Sequence, residues 1–295
     1  MSDGTAVDGV PAPKSAGASD MRLTAALLLG LILLGAMALF SIFGRAFWDI
    51  QLAYPLSAPI AAPPSAAHPF GTDSSGRDML AVMISGTFLT MKIGLVAGTL
   101  GVALGTILAF LAAYVGGWTD RLICFVVDVL LTVPGLLVLI VLASSVPGQL
   151  TTTTMAFVIA TLAWREPARQ IRAQVLVMRD AGYVRMARLS GTSALETMFV
   201  EMMPNLLPYL GASLVAAVSG AVLSSVGLEA LGLGSRNEST LGMSIYWMMR
   251  EGAFVRGLWW WIVSPVSALI IIFVGLYLVS VGLDEFANPR LRQRK

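Results

Sequence analysis

Long apolar runs separated by short polar stretches set out the plan of this chain. Leu23–Gly44 runs for 22 residues without a charge. As a helix it is about 33 Å long, enough to cross a bilayer. Ile93–Thr119 is also uncharged and spans as readily. From Leu122 to Trp164 the one charge is Asp128, and Pro147-Gly148 marks a turn in the middle. That stretch therefore divides into spans near 122–145 and 151–171, the first of them kinked at Pro134. Leu206–Leu228 and Leu258–Leu283 complete a set of six. The pattern predicts an all-α membrane protein with six transmembrane helices.

Composition agrees with this plan. Hydrophobic residues make up 57% of the chain and charged ones 12%, against about 25% charged in soluble domains. The net charge of +2 gives no footing for nucleic acid. Cys124 and His68 are each the single residue of their kind, so neither an internal disulfide nor a Cys/His metal cluster is expected, and no cofactor. Residues 1–20, rich in Gly, Ala, Ser, Pro and Asp, read as a disordered tail. With the N-terminus inside, 13 of the 19 Lys and Arg fall on the inner side. Both termini are then cytoplasmic. The outer segments are Arg45–Thr90, a turn at Ser145–Leu150, and Glu229–Gly257.

Three features inside the spans bear on their purpose. Gly94, Gly98, Gly101 and Gly105 fall on one face of the second span, a pattern for close helix packing in lipid, with pore lining as the alternative. The fifth span is small and weakly polar, through Ser213, Ala216, Ala217, Ser219, Gly220, Ser224 and Ser225. It is a candidate wall for a hydrated path, or a packing helix whose serines bond back to their own backbone. Asp128 is the one carboxylate deep in an apolar run. It reads either as half of an ion pair near the inner edge or as a coupling group.

The most elaborate polar segment is Arg165–Asn205, which carries Arg165, Arg169, Arg172, Arg179, Arg185 and Arg188. Asp180 is placed to cap a helix that ends at Gly191. On that helix Tyr183, Met186, Ala187, Ser190 and Gly191 share one small, mostly apolar face. Ser193-Ala194-Leu195-Glu196 reads as a capping box starting a second helix, and Pro204 and Pro208 mark re-entry into the membrane. A short helix with a small-residue face, held between two spans, suits a groove on another protein. A surface helix lying on lipid headgroups is the alternative.

Tyr183-Val184-Arg185-Met186-Ala187-Arg188-Leu189-Ser190-Gly191, with Pro204-Asn205 after it, resembles the "EAA" coupling loop of ABC-importer permeases. Ala187, Gly191 and Pro204 keep that pattern, while Arg185, Met186, Glu201 and Met203 depart from it. His68–Asp78, Gly116–Arg121, Asp128 to Pro134-Gly135, Leu231–Gly234 and Gly282–Arg292 are similar to the C-type permeases of dipeptide, oligopeptide and nickel importers. The resemblance implies a metal/peptide-importer-type core over 86–283. Before it come a first helix and outer segment over 21–85, and after it a basic tail over 284–295. It also implies ATPase coupling through Tyr183, Val184, Arg185, Met186, Ala187, Arg188, Gly191 and Pro204; the candidate path along Ser213, Ala217, Ser219, Gly220 and Ser224 rests on the residues of the fifth span themselves.

The implied partners are a homologous second permease, two cytosolic ATPases, an extracytoplasmic solute-binding protein and membrane lipid. No lysine of the chain follows a phosphate-cradling glycine loop, so ATP hydrolysis belongs on separate subunits. The implied cargo is a peptide, with nickel or oligosaccharide as alternatives. A self-contained ion-coupled transporter and a non-transporting scaffold are the rivals from other classes; the first expects paired intramembrane charges in repeated halves. The segment Gly71–Asp78 itself reads as a turn and a helix start, with Asp73 or Ser74 as cap, and as a structural element or a contact for the binding protein.

Overall fold

The computed structural model describes residues 25–287. The tail read over 1–20 and the last residues of the basic tail, 288–295, lie outside them. Among the described residues the structure is helical, with no named strand. Helix α1 is Ala25–Phe47, followed by a 3-10 turn at Ile50–Ala53. Helix α2, Met79–Val115, is 37 residues long. Helices α3 (Gly117–Thr132) and α4 (Gly135–Ser145) follow, then α5 (Thr152–Ala163) and α6 (Arg165–Arg179). The short helix α7 is Gly182–Leu189. Helix α8 (Ala194–Glu196), a π-helical step (Thr197–Met202) and α9 (Met203–Ala230) form one line. Helices α10 (Leu241–Arg250) and α11 (Trp259–Ala287) close the chain.

Four of these are long and apolar enough to cross a membrane: α1, α2, the line from Thr197 to Ala230, and α11. The third expected span is a bent pair, α3 and α4, turned by 89°. Pro134 lacks an N–H, and Val133 before it is extended, so the helix breaks where a kink was expected. The fourth expected span, 151–171, is instead the 12-residue apolar α5 joined to α6 at Trp164. Pro167 in the first turn of α6 cannot donate to Ala163, which fixes the break there. The second span begins at Met79 rather than Ile93. Lys92 does not end it, because its long side chain carries the ammonium to Thr153 Oγ1 at 3.3 Å. Helix α10 was not expected at all; ten residues between polar flanks look like loop to a search for spans.

Helix α2 is the centre of the packing, touching α1, α5, α6 and α9, while α1 lies along α11. The glycine face of α2 explains how. A Cβ at Gly98 would lie 2.7 Å from Val218 of α9, and one at Gly101 the same distance from Ala163 of α5. All four glycines are buried inside this one subunit, so their face packs helices rather than lining a pore.

Candidate coupling helix and cavity

The outer segment is closed on itself. Asp78 caps α2, its Oδ1 accepting from Ala81 N at 2.8 Å, a place the sequence had assigned to Asp73 or Ser74. The same fully buried carboxylate pairs with His68 Nδ1 at 2.7 Å and accepts from Trp48 Nε1 at 3.1 Å. Asp73 closes a turn instead, accepting from the N–H groups of Ser75 and Arg77 at 2.8 Å each. Burial pushes the Asp73 carboxyl above its ordinary range and holds the Arg77 guanidinium below its own. Arg77 stacks 5.5 Å from the Trp247 ring, and Trp260 Nε1 ties Thr72 O to α11 at 3.1 Å. Asp78 and Asp73 are satisfied in this way, while Arg77 Nε and Trp247 Nε1 are buried without a hydrogen-bond partner.

The inner insert is built differently. Helix α7 begins at Gly182, and Asp180 occupies the C-cap of α6 rather than starting α7. Val184 turns inward and is fully buried, in one cluster with Ile171 and Val175 of α6 and Met202 and Leu206 of the α9 line. Anchored there, α7 turns its other side out. Tyr183, Met186, Ser190 and Gly191 are exposed and Ala187 is half-buried. Met186 is 68% and Leu189 85% exposed, and Leu189 was not among the expected site residues. The heptad-like spacing of α7 carries that signal, but it is read only once Val184 is known to point inward. Burial and nearby Glu201 push the Tyr183 hydroxyl above its ordinary value. Arg185 is exposed, and the side chain of Arg188 lies outside the described part.

Gly191 ends α7 at φ +84°, and Thr192 N reaches back to Ala187 O at 3.2 Å. That is the Schellman closure, in a conformation that favours glycine. Ser193 Oγ accepts from Glu196 N at 3.3 Å, the first half of the expected capping box. The second helix is not separate, however. It runs through the π-helical step into α9, and Pro204 lies in the first turn of that helix rather than on α7. Met203 N bonds to Met198 O, five residues back, and this register slip takes the chain past a proline that has no donor.

Arginines of the insert serve the fold. Arg172 makes a two-pronged pair with Asp120, at 2.6 Å on both oxygens, and Arg179 Nη1 donates to Ala113 O at the end of α2 at 2.7 Å. Asp128 stands 3.7 Å from Arg169, both side chains largely exposed, so it has the basic neighbour expected near that edge, loosely held.

Between α4, the α5–α6 joint and α9 lies an open cavity of ≈ 110 Å³. Ser213, Ala217, Gly220 and Ser224 line it from α9, facing Leu139, Arg165 and Gln170. Ser219 is not on this wall; its hydroxyl bonds back to Val215 O at 2.8 Å. The volume holds a few waters at about 30 Å³ each and falls below the ~300 Å³ of a small-molecule site. The chain alone therefore offers an open wall rather than an enclosed site.

Residues 101–293, from the middle of α2 through α7 and the cavity into α11, match the family of binding-protein-dependent transport system inner membrane components. The chain belongs to that family. It is a multi-pass permease component. The permease is similar to the dipeptide transport system permease protein DppC of Haemophilus influenzae, 28% identical over 90% of this chain and 91% of that protein. It is 30% identical to the probable D,D-dipeptide transport system permease protein DdpC of Escherichia coli, over 77% of this chain and 75% of the other. The oligopeptide permease protein OppC of Mycobacterium tuberculosis is 26% identical over 78% of each.

Proposed function

We propose that this permease forms half of the translocation path of an ABC importer for di- or oligopeptides, and that α7 docks on a separate cytosolic ATPase. The observation that carries the reading is the two-sidedness of α7. Val184 fixes it to α6 and α9, while Tyr183, Met186, Ala187 and Leu189 form an apolar face open to a partner. A rigid helix held this way passes movement from a closing ATPase into the attached spans, a two-state switch biased by nucleotide. Ser213, Ala217, Gly220 and Ser224 would form this subunit's share of the path, completed by a homologous second permease. Solute delivery falls to an extracytoplasmic binding protein. Both termini are placed in the cytoplasm, in line with the distribution of Lys and Arg. The peptide cargo is supported by relatives named for dipeptide and oligopeptide transport.

The test replaces Ala187 by Glu, or Gly191 by Pro, and follows co-purification of the ATPase with the permease from membranes. Loss of the ATPase with the permease still folded is expected. Normal co-purification together with substrate-stimulated ATP hydrolysis in both variants would sink the docking assignment. Uptake of labelled dipeptide against labelled nickel and oligosaccharide settles the cargo.

A further inference from the structure

The coupling reading leaves Arg165 without a task. Pro134 has no N–H, so the Leu130 carbonyl four residues earlier loses its helical donor. Arg165 Nη1 supplies one at 2.6 Å, from 35 residues further along the chain. Its Nε donates to Leu162 O near the end of α5 at 2.8 Å. One guanidinium thus bridges the C-terminal ends of α3 and α5. Both ends carry the negative pole of a helix, where a cation is favoured, and both bonds are charge-assisted. A Cβ at position 135 would lie 2.7 Å from Arg165 Nη2, so a side chain there would require the guanidinium to shift from its present place.

On its other side Arg165 is the first residue of α6. That helix carries Ile171 and Val175, which bury Val184 of α7. A connected series of contacts therefore runs from α7 through α6 and Arg165 to the 89° joint, and on to Leu139 of α4 in the cavity wall. Arg172 and Arg179 bind the insert to Asp120 and to the end of α2, but neither reaches this break.

We infer that Arg165 is the positioning residue that carries movement of α7 into the joint between α3 and α4, and so into the cavity wall. This rests on the reading of α7 as the ATPase-docking helix. While the two bonds hold, α6 cannot shift without taking the joint with it. Without them, α4 and α6 move independently and nucleotide closure stops short of the cavity.

The experiment uses the full transporter, with both permeases, the ATPases and the binding protein, in lipid nanodiscs and a Cys124→Ser background. Spin labels at Val141 on α4 and Val177 on α6, both exposed, report their separation with and without ATP. In the parent this separation changes with nucleotide. In Arg165→Gln the change is expected to vanish, and the ratio of substrate-stimulated to unstimulated ATPase activity to fall about tenfold, the worth of one charge-assisted hydrogen bond. Arg165→Lys should be intermediate, because a single ammonium does not serve two divergent carbonyls as a planar fork does.

Gly135→Ala keeps the charge but displaces the guanidinium, and should reproduce the loss. It decides the matter by the same two readouts if Arg165→Gln proves unstable. Retention of the separation change and of full stimulation in Arg165→Gln, or in Gly135→Ala where that variant decides, overturns the assignment. A failure of the docking reading shows elsewhere, as an Ala187→Glu permease that still retains its ATPase.

Discussion

Two polar segments, one just before the long helix α2 and one between α5 and the α9 line, treat their side chains in opposite ways. The first, between Asp49 and Asp78 and read as outer, turns Asp73, Arg77 and Asp78 inward. Asp78 serves His68, Trp48 and Ala81 N at once, and Asp73 closes its own turn. The second, α6 and α7 and read as inner, fixes Arg165, Arg172 and Arg179 to helix ends and to Asp120, and leaves Met186 and Leu189 of α7 outside. Both segments are ordered by side chains reaching distant partners. The first also exposes Leu56 and Ile60, but in turns rather than on a helix anchored by a buried side chain such as Val184. A segment that buries its polar groups among themselves is a fastening. One that is fastened through Val184 and still presents Met186 and Leu189 to solvent from one short helix is the proposed docking surface.

The sharpest way to break this comparison is at Asp78. Asp78→Ala removes the cap of α2 and leaves the Trp48 indole N–H and His68 without their partner. The expected cost is about 3 kcal/mol, from a lost cap together with a stranded buried donor. It should appear as a lower unfolding temperature of the purified permease, with ATPase co-purification normal in the fraction that stays folded. A variant as stable as the parent would mean that the outer segment is not a fastening.

The next effect has the reverse signature. Met186→Ser with Leu189→Ser removes exposed apolar surface from α7 and leaves Val184 in place. Thermal stability should stay within about 0.5 kcal/mol of the parent, as for surface changes elsewhere. Binding of the ATPase should weaken by about 2 kcal/mol, close to thirtyfold, measured by titrating purified ATPase onto permease in nanodiscs. A drop in stability with unchanged affinity would show that these side chains pack within the permease, and would erase the distinction between the two segments.

Much of this was legible from the chain because apolar length is a local property. Leu258–Leu283 needs no partner to be read as a helix, and the structure has it as α11. The Schellman end of α7 was also local, since Gly191 ends that helix by its own backbone freedom. What could not be read depends on residues far apart in sequence. Pro134 announces a break, but the Leu130 carbonyl it strands is satisfied from Arg165, 35 residues on. Arginines that looked like inner-side charge prove to be donors for the carbonyls of Leu130, Leu162 and Ala113. In the segment before α2 the sequence reads Asp73 or Ser74 as the cap, because several turn-forming residues precede Asp78 with equal local merit. Within α7, Val184 belonged to the same motif as Tyr183 and Met186, and only the fold turned it inward.

Asp128 offers the smallest effect and tests whether the comparison covers every charge near the inner edge. Its distance of 3.7 Å from Arg169, with both side chains about two-thirds exposed, places it among surface pairs worth 0–1 kcal/mol, typically about 0.3. Asp120 nearby, held at 2.6 Å on both oxygens by Arg172, shows what a fastened carboxylate looks like in the same helix. Asp128→Asn should therefore change neither the unfolding temperature nor ATPase affinity measurably, and uptake should stay within about twofold of the parent, the kinetic equivalent of such a weak pair. The corresponding Asp120→Asn should lower stability more, since it breaks a two-pronged pair. If Asp128→Asn abolishes uptake while stability and docking hold, the carboxylate acts on the cargo or the switch itself. A third kind of region would then be needed, in which a charge is kept loose because it must change partners.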